Sequence, residues 1–272
     1  MPAPIPVGQL IGTHDVLLVT LDTLRYDVAS RLHADGRTPR LSAFLPPGGW
    51  EKRHTPGSFT FSAHAAFFAG FFPTPARPGK HPRPLALQFA GSETTTGETA
   101  VFDGPDLPTG FRGRGYRTVC VGGVGFFNKQ TPLSSVFPAL FDESHWSPEL
   151  GVTEPRSTER QVDLALGRVA ELPPDERVFL FLNVSAIHQP NRFYLPGATQ
   201  DSIESHAAAL AYVDGHLGRL FAGLRRRGPW FVVICSDHGT TYGEAGFTGH
   251  RLAHPVVWEV PYAEFVLTPE PA

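Results

Sequence analysis

A mostly parallel α/β sheet with helices on both faces is the fold this sequence predicts, on three observations. Four apolar runs, rich in β-branched and aromatic residues, have the composition of strands buried on both sides. Helical stretches alternate with them, as parallel strands joined by crossovers require. The chain has 272 residues, 41% hydrophobic and 18% charged, enough for one sizeable core. The whole span 1–272 reads as a single domain, because its irregular stretches look like insertions.

The elements follow in order. VLLVTLD (16–22) is a continuous apolar run that ends in Asp22. TPRLSAFLP has the pattern of a short helix stopped by Pro46 and Pro47. FSAHAAFFAGFFP (61–73) is Ala-rich and apolar on most sides, so it predicts a buried helix ending between Gly70 and Pro73. Residues 74–100 are rich in Pro, Gly and Thr, the composition of a long surface excursion or lid. YRTVCVGGVGFF predicts a second strand running into a glycine turn, and residues 128–157 read as irregular. TERQVDLALGRVAEL is an amphipathic helix, RVFLFLNV a third strand, and SIESHAAALAYVDGHLGRLFAGLRRRG a long helix ending at Gly228. PWFVVICSD (229–237) is a fourth strand, again closed by an Asp. VPYAEFVLTP predicts a last strand near the sheet edge.

Bulk properties exclude several functions. The net charge of −3 and the lack of a basic stripe argue against a nucleic-acid partner. No apolar run is long enough for a membrane span, and the N-terminus lacks a basic-then-apolar signal pattern. A cytoplasmic location is expected. Cys120 and Cys235 lie inside strand runs, which predicts buried free thiols rather than a disulfide.

Polar residues at strand exits point to a site. In open α/β sheets the ligand crevice lies beyond the carboxyl ends of the strands. Asp22, His188 and the Asp237–His238 pair all fall there. Any one of them has an ordinary structural role to play, as a helix cap or a hydrogen-bonded histidine. Together they offer carboxylate oxygen and imidazole nitrogen to a divalent cation, a donor set suited to Zn²⁺ or Mn²⁺. Thr60 opens the buried helix, where its hydroxyl meets the positive end of the helix dipole. It is either a nucleophile or, like Ser58 and Ser62, an N-cap. Arg25 follows Asp22 closely and has two readings, a substrate contact or a surface salt bridge. Asp214 and His216 on the long helix read as a buried polar contact and a surface residue, and Arg225 to Arg227 as a charge cluster at its C-terminus.

Taken in order, these pieces resemble the alkaline phosphatase–sulfatase superfamily. VLLVTLDTLRYD looks like the opening strand whose Asp binds metal. TPRLSAFLPPGGW, GYRTVCVGG and SDHGTTYGEAGFTGH with WEVP resemble further family segments. TFSAHAAFFAGFFP is similar to the sulfatase stretch C-x-P-S-R-A-A-L-L-T-G-R-Y-P. That match puts Thr60 on the nucleophile and His64 on the motif arginine, which would make both catalytic. The resemblance implies an alkaline-phosphatase-like fold. It also implies a first metal held by Asp22, Thr60, Asp237 and His238, with His250 as a further ligand and His254 as a spare.

Departures from the family pattern narrow the chemistry. A sulfatase nucleophile is a Cys or Ser oxidised to formylglycine, whereas oxidation of Thr60 would give a ketone. The family's GK-W-H lysine and histidine are replaced by Gly123 and Gly125. A threonine nucleophile resembles the phosphate-ester branches, so the implied substrate is a small phosphate ester, with a sulfate ester, phospho-group transfer or non-catalytic ligand binding as alternatives. His188 keeps a five-residue spacing from a position that is Asp in two-metal branches and Asn183 here. His188 and Asn183 therefore read either as part of a second cation site or, for His188, as an ester contact or general acid.

Overall fold

The computed structural model describes residues 5–70, 85–86, 100–101 and 106–269. A seven-stranded sheet organises them. Its strands are β1 (Asp15–Leu21), β2 (Glu51–His54), β3 (Tyr116–Val121), β4 (Glu143–His145), β5 (Arg177–Val184), β6 (Trp230–Cys235) and β7 (Glu259–Leu267). The spatial order is β2-β7-β6-β1-β5-β3-β4. Pairings β6–β1, β1–β5, β5–β3 and β3–β4 are parallel, and only β7 runs against its neighbours.

Alternation along β1 shows why its sequence is apolar throughout. Leu17, Val19 and Leu21 face one core, with helices α1 (Tyr26–Ala34), α3 (Ser157–Glu171) and α4 (Ile203–Arg225). Val16 and Leu18 face a second, Phe-rich core, to which α2 (Thr60–Ala69) contributes Phe68. Both faces are covered, so no polar alternation is required. Helix α2 ends where Gly70 takes φ +75°, the left-handed C-terminal stop that glycine permits. Cys120 and Cys235 are buried and free. No helix among the described residues is long and apolar enough to cross a membrane.

Two stretches differ from expectation. The exposed strand EKRH, β2, takes the sheet edge, so VPYAEFVL is second from the edge. Its four polar side chains hide it from a hydrophobic pattern search. Residues 128–157, expected to be irregular, contain the short strand β4 and several single turns. The excursion over 74–100 lies outside the described residues, apart from the paired dipeptides Leu85–Ala86 and Ala100–Val101.

Arg227 also does more than the terminal charge cluster implies. Its guanidinium binds Asp15 at the start of β1 and the carbonyls of Val169, Leu172, Pro173 and Glu176. It thereby ties the end of α3 and the approach to β5 to the base of the sheet. Asp214 accepts hydrogen bonds from Arg40 N and Leu41 N and so closes the first turn of the short helix Pro39–Ser42.

A close backbone approach explains the glycine of the SDHG segment. A Cβ on Gly239 would lie 1.8 Å from the carbonyl oxygen of Val256. Gly239→Ala should therefore cost about 2 kcal/mol or more through overpacking. The expected readout is a fall of several degrees in melting temperature; an unchanged melting curve would contradict this packing.

Candidate metal centre

Parallel pairing of β1 with β6 sets Thr20 opposite Cys235. Two residues further along each chain come Asp22 and Asp237, side by side at the carboxyl edge. With His238 they form a cluster whose ligand atoms all lie within 4.8 Å of one another, and all three residues are buried. His238 Nε2 is 3.5 Å from Asp237 Oδ2 and 4.0 Å from Asp22 Oδ1. The Nδ1–H of His238 donates to the Gly239 carbonyl at 2.9 Å, which leaves Nε2 as the lone-pair donor facing the cluster.

The chain holds each carboxylate by one oxygen. Asp237 Oδ1 accepts from the N–H groups of Thr23 and His238. Asp22 Oδ2 accepts from Asn183 Nδ2 and the Thr60 hydroxyl, each at 3.3 Å. Asp22 Oδ1 and Asp237 Oδ2 are buried with no hydrogen-bond partner among the described residues. Buried carboxylate oxygens without a donor are costly. A divalent cation coordinated by these two oxygens and His238 Nε2 would remove that cost, so the donor set fits a metal.

The electrostatics agree. Burial, reinforced by repulsion from Asp237, raises the pKa of Asp22 to about 6. Burial raises Asp237 to about 7. These are values for the protein without a cation, and a bound cation would restore both anions. Thr23, a β-branched residue, adopts φ +64° between Asp22 and α1. This uncommon conformation aims its N–H at Asp237 and stores strain beside the cluster.

Thr60 joins the cluster from α2. The helix begins at Thr60, and neither Ser58, Phe59, Thr60 nor Ser62 caps it with a side-chain hydrogen bond. The Thr60 hydroxyl is instead 3.3 Å from Asp22 Oδ2 and 3.4 Å from His238 Nε2.

The remaining candidates separate by position. His64 lies behind Thr60, fully buried among Phe68, Phe127, Phe137 and Phe181. Its Nδ1–H donates to the Thr60 carbonyl at 2.8 Å and its Nε2 contacts Thr20 Oγ1 at 3.0 Å. Burial lowers its pKa to about 3, so it stays neutral. Placed there, it orients the start of α2 and does not face the open side of the site. Asn183 is also behind the cluster. It bonds to Thr20, Asp22 and the Val124 N–H, and has no hydrogen bond to His188 or His250. Its expected place beside His188 is therefore corrected: it supports Asp22.

His188 and His250 lie side by side. Their ring centroids are 5.6 Å apart, and the His250 ring lies 4.5 Å from that of His238, tilted by 38°. Burial lowers the pKa of His250 to about 3, and its Nδ1 has no partner among the described residues. His254 instead caps the helix Pro255–Trp258, accepting from Val256 N. Arg25 pairs with Asp27 and Glu244 as the salt-bridge reading expects, but it is buried rather than at the surface. Glu244, which sequence reasoning missed, pins the loop that carries His250. Tyr242 of the same loop binds Asn191 and His206, tying it to the loop after His188. No sequence pattern marks these partners.

Gly123 explains the lost family lysine. A Cβ there would lie 2.3 Å from the Asn183 carbonyl, leaving no room for a side chain.

Comparison with known proteins agrees with this architecture. The family model described as Sulfatase matches residues 14–263. No curated protein matches the sequence. Among solved structures, the zinc complex of the C-terminal periplasmic domain of EcEptC from Escherichia coli is similar, with TM-score 0.64 and 15% identity over 95% of this chain and 74% of that one. The soluble domain of lipooligosaccharide phosphoethanolamine transferase A from Neisseria meningitidis gives TM-score 0.62 and 16% identity over 92% and 75% of the two chains. An alkaline phosphatase superfamily protein from Vibrio parahaemolyticus gives 0.56 and 14% over 94% and 60%. These identities speak to the fold alone. The family match spans nearly the whole chain, and the chain belongs to the sulfatase family.

Proposed function

We propose that this protein is a metal-dependent enzyme acting on phosphate esters, with Thr60 as nucleophile and a phosphothreonine intermediate. One observation carries the reading. The Thr60 hydroxyl, at an uncapped helix start, touches a cluster with two unpartnered buried carboxylate oxygens. Asp22, Asp237 and His238 would hold the cation, Zn²⁺ or Mn²⁺. When bound, it supplies positive charge that lowers the hydroxyl pKa and neutralises phosphoryl oxygens.

The chain's own residues do the rest. Asp22 Oδ2 accepts a hydrogen bond from the Thr60 hydroxyl and orients it, and the hydroxyl proton is lost to solvent. Thr60 Oγ attacks phosphorus as the bond to the leaving oxygen breaks. The free N–H groups at the start of α2 face the equatorial oxygens. His188, half-buried beside His250, would give the leaving oxygen a proton. Water or an acceptor alcohol then cleaves the phosphothreonine, giving hydrolysis or transfer. The name of the Neisseria relative, a phosphoethanolamine transferase, and the zinc in the Escherichia coli structure support phospho-group chemistry and zinc. A threonine in place of a formylglycine precursor argues against sulfate esters.

Thr60→Ala should lower kcat at least about a thousandfold, as loss of a nucleophile does, while calorimetry still detects metal binding. A panel of chromogenic phosphomonoester, phosphodiester and sulfate ester checks the class. Turnover of the sulfate ester alone would overturn the proposal.

His188 and His250 admit a second cation, which would sit about 3.5–4 Å from the first if the two act as a pair. Metal analysis should then return two ions per wild-type chain and one in His250→Ala. A single ion in both proteins would leave His188 as acid or ester contact. Asn183→Asp places a carboxylate against Asp22 Oδ2, so it should weaken first-site binding rather than strengthen the second.

The pH response follows from the raised carboxylate pKa values. Without metal, folded Asp22 and Asp237 bind protons that the unfolded chain has released, between about pH 4 and 7. Their contribution to metal-free stability is present at low pH and lost as pH rises through about 6 to 7. A bound cation requires both anions, so its stabilisation runs the other way. The rise in melting temperature on adding metal should shrink steadily from pH 8 to pH 5.5. Neutral buried His64 and His206 affect both forms alike and cancel in this difference. Binding near pH 6 should also release about one proton or more; a pH-independent increment would contradict the cluster.

A further inference from the structure

Arg25, the arginine next to the metal strand, is consumed by Asp27 and Glu244. Another arginine is not. Arg251 follows His250 directly, is exposed, and forms no ion pair among the described residues. Its backbone is held in a fixed and unusual state. It adopts φ +72°, and its N–H donates to the Ser58 carbonyl at 2.9 Å, two residues before Thr60. Its guanidinium lies over the Phe59 ring, 6.0 Å from the centroid. Phe59 is half-buried and contacts Phe126, which contacts Phe61.

These facts describe a rim subsite. A strained backbone on a non-glycine residue persists where surrounding structure enforces it, and functional sites are where it collects. A cation–π contact of this length orients a guanidinium without neutralising it. The arginine therefore stands preset at the mouth of the cluster, with no ion-pair partner among the described residues. The reacting phosphoryl group would sit deeper, at the buried Thr60 hydroxyl. An exposed guanidinium at the mouth meets the part of the substrate that projects toward solvent. Phe59, which holds the guanidinium, directly precedes Thr60 in the chain.

We propose that Arg251 binds a second anionic group on the substrate, a carboxylate or phosphate carried by the alcohol portion a few bonds from the reacting phosphorus. The preferred substrates are then phosphoesters whose alcohol portion is itself anionic, connected through a short apolar stem that passes Phe59. This rests on the phosphoester reading above and adds the class of alcohol.

The test is a binding comparison that does not depend on turnover. Zinc-loaded protein is titrated calorimetrically with phosphoglycolate, which carries phosphate and carboxylate, and with ethyl phosphate, which lacks the carboxylate. Wild type should bind phosphoglycolate about fivefold more tightly, the scale of a partly solvated ion pair. In Arg251→Ala the ratio of the two dissociation constants should collapse to about one, and Arg251→Lys should restore part of it. The preference should also weaken in high salt. A wild-type ratio near one, an unchanged ratio in Arg251→Ala, or no binding of phosphoglycolate would overturn the assignment. If the preference holds while no phosphoester is turned over, the catalytic reading fails and the subsite stands. If phosphoesters are turned over with no such preference, the subsite fails alone.

Discussion

Two carboxylates buried side by side are the constraint on which the rest of this structure depends. Asp22 and Asp237 end adjacent parallel strands, and the pairing of β1 with β6 leaves them no choice but to meet. Like charges in a low-dielectric interior repel, and each also loses its hydration. Much of the surrounding structure answers that cost. Thr23 takes a strained φ to give Asp237 an N–H, His238 gives another, and Asn183 gives an amide to Asp22. Each oxygen left over faces the same space.

Behind this lies a relay of neutral donors. Asn183 donates to Thr20, Thr20 meets His64 Nε2, and His64 donates to the Thr60 carbonyl. It runs from β5 across β1 to the first turn of α2. Thr60 is thus registered to the strand that carries Asp22, although 38 residues separate them. The Phe-rich core closes around His64 and keeps its imidazole neutral. A protonated histidine there would bring a second positive charge behind the cluster and weaken the hold on a cation. On the open side, Arg25 with Glu244 and Tyr242 with Asn191 fasten the loops that present His250 and His188. The rigid back and the pinned front together preorganise a crevice at the carboxyl edge, where α/β sheets place their ligands.

Much of this was legible in the sequence. Continuous apolar runs identify β1, β3, β5 and β6 because parallel strands covered on both sides have no polar face to confuse the pattern. Asp22, Asp237 and His238 stand out together, because ligand-type side chains recur at strand exits that share one edge of the sheet. The SDHG segment and the Thr60 helix added order to these signals. Less legible were β2, whose side chains EKRH are all exposed, and β4, too short for any period to register.

What the sequence by itself determined was the set of elements and the residues that end them, since hydrophobic period and chain polarity are local properties. Which of the polar residues touch one another is not local, and the tertiary structure decided it. Strand register brought Asp22 to Asp237. Loop anchoring brought His250 to His188 and His238, while turning His254 away to cap a helix. Asn183 could have been a ligand by spacing, but its hydrogen bonds make it a support for Asp22. Arg25 and Arg251 look alike in one dimension. Only packing gave the first two carboxylate partners and left the second with an aromatic ring, because an ion pair depends on distances that no sequence pattern encodes.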